Sequence, residues 1–170
     1  GAGLILGAVL LALAALSFVA ANWAGMPALA RFALILAALW AALGTAGEAF
    51  RRNNPALGHA LALVGAALFG AAIMLTAQTF NISAFRNTGI LVWALGALAI
   101  AITIPSRPAL ALSALLAGSW MVLETLNPLT PRIVWLFVPL WLALAAFAIR
   151  LESRLTANLL GAGLLVWLYT

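Results

Sequence analysis

Any acid–base or ligand-binding chemistry in this chain must come from very few side chains. Three Glu, one His and eight Arg are present, with no Asp, Lys or Cys. They fall in a repeated format. A polar residue closes an apolar run, and an Arg follows eight or nine positions later: Asn22 to Arg31, Gln78 to Arg86, Glu124 to Arg132. Each Arg has an aromatic neighbour, Phe32, Phe85 or Trp135. The format fits a hairpin repeated three times in one orientation, as transport folds often carry internal repeats. Polar caps and interfacial anchors, for which Trp and Arg are favoured, explain it better. Within the set, Gln78, Asn81 and Ser83 place polar groups at the end of an apolar run, where amides need partners. Gln78 is expected to bond to a neighbouring helix or to the Asn22-Trp23 turn. The same amides could line a small pocket. The candidate polar site is therefore Asn22, Trp23, Gln78 and Asn81, with Arg31 and Arg86 drawing anions to its mouth.

Other chemistries lack their residues. One His without Cys or Asp gives no ligand set for zinc or di-iron, so neither a metal nor a cofactor is expected. There is no Ser–His–Asp set, no pair of carboxylates within a loop, and no Gly-rich phosphate loop followed by Lys. The chain is not expected to be an enzyme. His59 reads as a surface histidine at a helix end. Glu48 and Arg52, four apart, can pair on one helical face. Arg150, Glu152 and Arg154 read as an interfacial charge cluster. No ionisable residue falls in the middle of an apolar run, which argues against a proton-coupled pump.

The elements that must position these residues are apolar. Hydrophobic residues make up 67% of the 170 positions and charged ones 6%, and the charges fall between apolar runs. A spanning helix needs about 20 mostly apolar residues. The expected fold is an all-α, polytopic transmembrane bundle, one domain over residues 1–170. About seven up-and-down spans are read: Gly1–Ala21, Ala28–Gly47, Leu57–Ala77, Thr88–Ile104, Ala109–Leu126, Ile133–Ile149 and Ala157–Thr170. Short connections broken by Pro27, Pro55, Pro105, Pro108, Pro128 and Pro131 force neighbours to be antiparallel. Gly1 opens into an apolar run and Thr170 stops within one, so the chain reads as truncated at both ends. Arg51, Arg52, Arg107, Arg150 and Arg154 fall in even-numbered loops, against Arg31, Arg86 and Arg132 in odd ones. This bias favours even loops in the cytoplasm. The net charge of +5 is scattered singly rather than gathered in a basic patch, so no nucleic-acid partner is expected. Gly3 with Gly7 and Ala66 with Gly70 make small-xxx-small pairs, read as intramolecular packing rather than a dimer face.

Several of these residues recur in a known order: Ala20-Ala-Asn22-Trp23, Arg31, Pro55-Ala-Leu57, Gly65-Ala-Ala-Leu-Phe-Gly-Ala-Ala72, Gln78-Thr-Phe80 and Trp93-Ala-Leu95. Over Leu16–Ala99 the chain thereby resembles an uncharacterised bacterial family of predicted membrane proteins, domain of unknown function 2157. The resemblance implies a multi-pass protein of the bacterial inner membrane, often with a further cytoplasmic N-terminal part. It implies no activity. Family members carry an acidic residue after the Asn-Trp pair, and a Tyr then a His after the Gln. Ala24, Phe80 and Asn81 stand at those places here.

The expected function is that of a non-enzymatic accessory or scaffold bundle, or a subunit of a membrane assembly. Its partners would be membrane lipids and either further copies of itself or other membrane subunits. The alternative is a transporter or channel for a small neutral or anionic solute, using the candidate polar site. A membrane-embedded lipid-modifying enzyme is a distant third. A channel needs a water-wide path flanked by the amides, whereas a scaffold should be closed by Leu, Ala and Phe throughout.

Overall fold

A computed structural model describes residues 21, 23–80, 87–127 and 135–169. The chain divides into two compact units, Gly1–Leu34 and Ile35–Thr170. In the first, a 3-10 turn at Trp23–Gly25 leads through Met26 and Pro27 into α1, Ala28–Arg51, which continues into the second unit. There follow α2 (Pro55–Thr79), α3 (Thr88–Thr103), α4 (Arg107–Thr125), α5 (Phe137–Arg150) and α6 (Arg154–Tyr169). The protein is all-α, with no strand among the described residues. Three of these helices, α1, α2 and α4, are long and apolar enough to cross a membrane, and α3 and α5 are shorter apolar helices. The first expected span, Gly1–Ala21, lies outside the described residues except for Ala21.

Three of the helices begin or end beyond the apolar runs that announce them, whereas α5 begins at Phe137, inside the run read from Ile133, with Trp135 and Leu136 in a turn. The run ending at Gly47 continues as helix to Arg51, the run from Leu57 begins at Pro55, and the run from Ala157 begins at Arg154. Hydropathy stops at a charge, but a helix stops only where its end groups find other partners. The Asn54 side chain accepts the Leu57 N–H (3.3 Å), with Pro55 next in the chain, where its missing N–H is harmless. Ser106 caps α4 by accepting from Ala109 N–H at 3.5 Å. Ser153 accepts from Thr156 N–H at 3.4 Å and shares a 2.7 Å hydroxyl contact with Thr156.

Two of the connections are the same turn. After α1, Asn53 N–H bonds to Phe50 C=O and Asn54 N–H to Ala49 C=O; after α5, Glu152 bonds to Ile149 and Ser153 to Ala148. Asn53 (φ 55°) and Glu152 (φ 51°) take the left-handed conformation that closes such a helix end. Each turn leads directly into the capping residue of the next helix, so each makes a tight antiparallel hairpin.

In the second unit α4 is central, packed against α2, α3, α5 and α6. Its contacts are made by small residues. Ala62, Ala66, Ala94, Ala97, Ala109 and Ala117 are fully buried beside Leu98, Leu110 and Leu144. Trp93 of α3 lies where a Cβ on Gly70 of α2 would stand, and Phe69 of α2 lies likewise against Gly96 of α3. The Trp93 indole donates to the Ala66 carbonyl (2.8 Å), and Ser113 of α4 donates to the Ala94 carbonyl (2.7 Å). The Ala66–Gly70 pair is thus filled from within the chain, whereas Gly3 and Gly7 lie outside the described residues. Outward-facing positions are large and apolar, among them Trp40, Met74, Leu115, Ile149 and Leu168.

Candidate functional site

The six residues of the expected polar site divide between the two units. In the first, Arg31 turns back on the chain before its helix. Its Nε donates to the Met26 carbonyl (3.0 Å) and its Nη2 to the Ala24 carbonyl (3.2 Å). The guanidinium carbon lies 5.3 Å from the centre of the Trp23 ring, within reach of a cation–π contact. Arg31 therefore holds the 3-10 turn and orders Trp23. In the second unit, Gln78 lies exposed in the last turn of α2. Beside it, the Thr76 and Thr79 hydroxyls bond back to the Ala72 and Leu75 carbonyls. Asn22, Asn81 and Arg86 lie outside the described residues, as do Ser83 and Arg132.

At the same end of the second unit as Gln78, α4 finishes with a buried acid. Glu124 is 1% exposed, and its Oε2 accepts the backbone N–H of Asn87, the residue preceding α3. A carboxylate at this place satisfies a helix-start donor and faces the positive end of the α3 dipole. Sequence reasoning placed Glu124 only as a helix end.

The opposite end of the second unit carries its described arginines. The turns before α2, α4 and α6 converge there: Phe50, His59, Pro105, Arg107, Arg150, Leu151 and Glu152 line one cleft of about 390 Å³. Arg107 joins two of the turns, its Nε donating to the Leu151 carbonyl (2.7 Å) and its Nη2 lying 4.0 Å from Glu152. Arg51 and Arg52 flank Glu48 at 3.4 and 2.7 Å, so the pairing expected of Glu48 and Arg52 is present. His59 is partly exposed near the start of α2, as expected, but one side of its ring is packed. Its ring meets Phe50 edge-on (centroids 5.0 Å apart), and its Nδ1 is buried without a hydrogen-bond partner among the described residues. The packing of α1 on α2 holds it there, because Phe50 also covers Gly58. No sequence signal marked that packing.

A second, larger depression, about 1030 Å³, begins at the same charged turn and runs down the helices. Arg107, Glu152, Ser153 and Arg154 stand at its head; Pro108, Trp141, Ala145, Ala148, Ile149, Leu155, Ala157, Leu160 and Gly161 line the rest. No cluster of His, Cys, Asp or Glu suited to a metal occurs among the described residues.

A family model described as "Predicted membrane protein (DUF2157)" matches residues 2–110. The chain belongs to this family. The DUF2157 match covers α1, α2, α3 and the first turn of α4, ending just after the Arg107-Pro108 corner. Together with the large apolar side chains exposed on the described helices, this makes the chain an integral membrane protein. The larger depression is built mainly from α5 and α6, which lie beyond the DUF2157 match. No curated protein and no solved structure matches the chain.

Proposed function

We propose that the protein is a non-enzymatic accessory or scaffold bundle, multi-pass in the bacterial inner membrane, serving as a subunit of a larger membrane assembly. The observation that carries the reading is the packing of α2, α3 and α4. Their shared interior is closed by Ala62, Ala66, Ala94, Ala97, Leu110 and Ala117, all fully buried. The polar groups within it, Trp93 and Ser113, each donate to a helix carbonyl of a neighbour. A solute path would need groups free to bind and release, and a coupled transporter would need a titrating group in the span. The described charges instead stand at helix ends. Arg51, Arg52, Arg107, Arg150 and Arg154 share one end, which supports a cytoplasmic placement of the turns before α2, α4 and α6.

Flux from reconstituted vesicles tests the reading. The scaffold predicts that small neutral and anionic solutes stay trapped at the rate of protein-free vesicles. A selective leak that disappears with Gln78→Leu would establish the channel instead.

A further inference from the structure

The depression between α5 and α6 is a groove with two chemistries. Along the helices it is apolar, and its walls are fixed. The Trp141 indole donates to the Leu160 carbonyl (2.9 Å), locking the ring as one wall. At Gly161 a Cβ would meet nothing within 4 Å, so the floor opens there for want of a side chain. At the head the groove is cationic. Arg107 and Arg154 border it and Arg150 is adjacent, against the single acid Glu152.

We infer that the groove holds one anionic phospholipid, its phosphate at Arg154 and Arg107 and an acyl chain along Trp141, Ala145, Leu160 and Gly161. The argument is charge and polarity complementarity along one axis. An apolar groove on a membrane helix pair leaves wall atoms without dispersion partners unless something apolar fills it. The filler must also present negative charge at the level of the helix ends, where Arg side chains reach the headgroup layer. Arg154 and Gly161 are seven residues apart, roughly 10 Å along the helix. That distance puts Gly161 beside the upper acyl carbons of a lipid whose phosphate meets Arg154. Basic recesses between membrane helices recognise anionic headgroups in this way. The inference rests on the membrane placement of the chain but not on the scaffold reading.

The test is native mass spectrometry of the protein released from vesicles of equal phosphatidylglycerol and phosphatidylethanolamine. One phosphatidylglycerol should be retained per chain in preference to phosphatidylethanolamine. Arg154→Gln should lower that preference about fivefold, the effect of one cationic side chain near the headgroups. Gly161→Leu should reduce retention of both lipids with no fall in the unfolding midpoint, because it fills open space. Arg51→Gln with Arg52→Gln, at the same end but outside the groove, should leave retention unchanged. An unaltered preference in Arg154→Gln, or an equal loss in the Arg51/Arg52 pair, would overturn the site. Displacement of the lipid by glycerol 3-phosphate alone would overturn the acyl-chain part, and a second copy of the chain retained in place of lipid would overturn the whole. Vesicle leak through an intact lipid site would sink the scaffold reading while leaving this one standing.

Discussion

Arg107 Nε reaches across the bundle end to the Leu151 carbonyl at 2.7 Å, so the first residue of α4 caps the end of α5. Leu151 follows the last helical residue, and its carbonyl is among those a helix end leaves without an internal partner. A cation there also faces the negative end of the α5 dipole. The accompanying contact with Glu152, at 4.0 Å between side chains 58% and 85% exposed, adds little.

Arg107→Gln should therefore lower stability by about 1 kcal/mol, the modest end for a charged hydrogen bond because Arg107 is solvent-facing. Thermal unfolding in detergent would read the loss. Glu152→Gln should leave the midpoint nearly unchanged. If the two substitutions cost the same, the ion pair rather than the carbonyl contact holds the corner.

Asn53 and Glu152 occupy the same left-handed position in two equivalent turns, yet only one is a residue suited to it. Asn tolerates that conformation; Glu does so at a cost. Glu152→Gly should stabilise the protein by roughly 0.5–1 kcal/mol, the relief of strain less the greater freedom of Gly when unfolded. Asn53→Gly should change it little. A lower midpoint for Glu152→Gly would show that the side chain contributes something the turn geometry does not.

This contrast also shows which parts of the fold the sequence discloses. The Asn-Asn-Pro stretch after α1 announces a helix end and a new start, because each residue type suits its place. Leu151-Glu152-Ser153 makes the same turn with one unsuited residue, and it reads from sequence only as a charge cluster. Apolar runs reveal the helices but end early, since Arg51, Arg107 and Arg154 belong to helices yet break the hydropathy. The groove at α5 and α6 is invisible in sequence, because it depends on which face Gly161 turns toward Trp141. Among the expected site residues, the Arg31 guanidinium lies 5.3 Å from the centre of the Trp23 ring. The spacing could not show that Arg31 directs its donors to two carbonyls of its own turn.

At the α2–α3 interface each helix inserts a ring over a glycine of the other: Trp93 over Gly70 and Phe69 over Gly96. Gly70→Ala should cost about 1–3 kcal/mol, since a methyl there meets the rigid indole core. Trp93→Phe should cost about 0.6–2 kcal/mol through loss of the Ala66 bond. Because both act on one contact, the double variant should cost less than the sum. Strict additivity, measured by unfolding, would mean that the two residues do not share a contact in the membrane.

The five Arg residues at one end of the bundle also predict sidedness. Asn54 precedes α2, and Leu126 follows α4, which starts at the Asn54 end; the two therefore mark opposite ends of the second unit. Both are exposed, so a cysteine at either can react. The chain has no cysteine of its own, and single substitutions give clean labels. In intact cells an impermeant thiol reagent should label Leu126→Cys and spare Asn54→Cys, which should react only after the membrane is opened. Labelling of Asn54→Cys from outside would invert the topology and place the Arg-rich clefts on the outer face. Moving Arg51 and Arg52 to the turn before α1 should weaken the bias and give mixed labelling, because sidedness follows the Arg count of short loops. If that exchange leaves the pattern untouched, orientation is set elsewhere than in these turns.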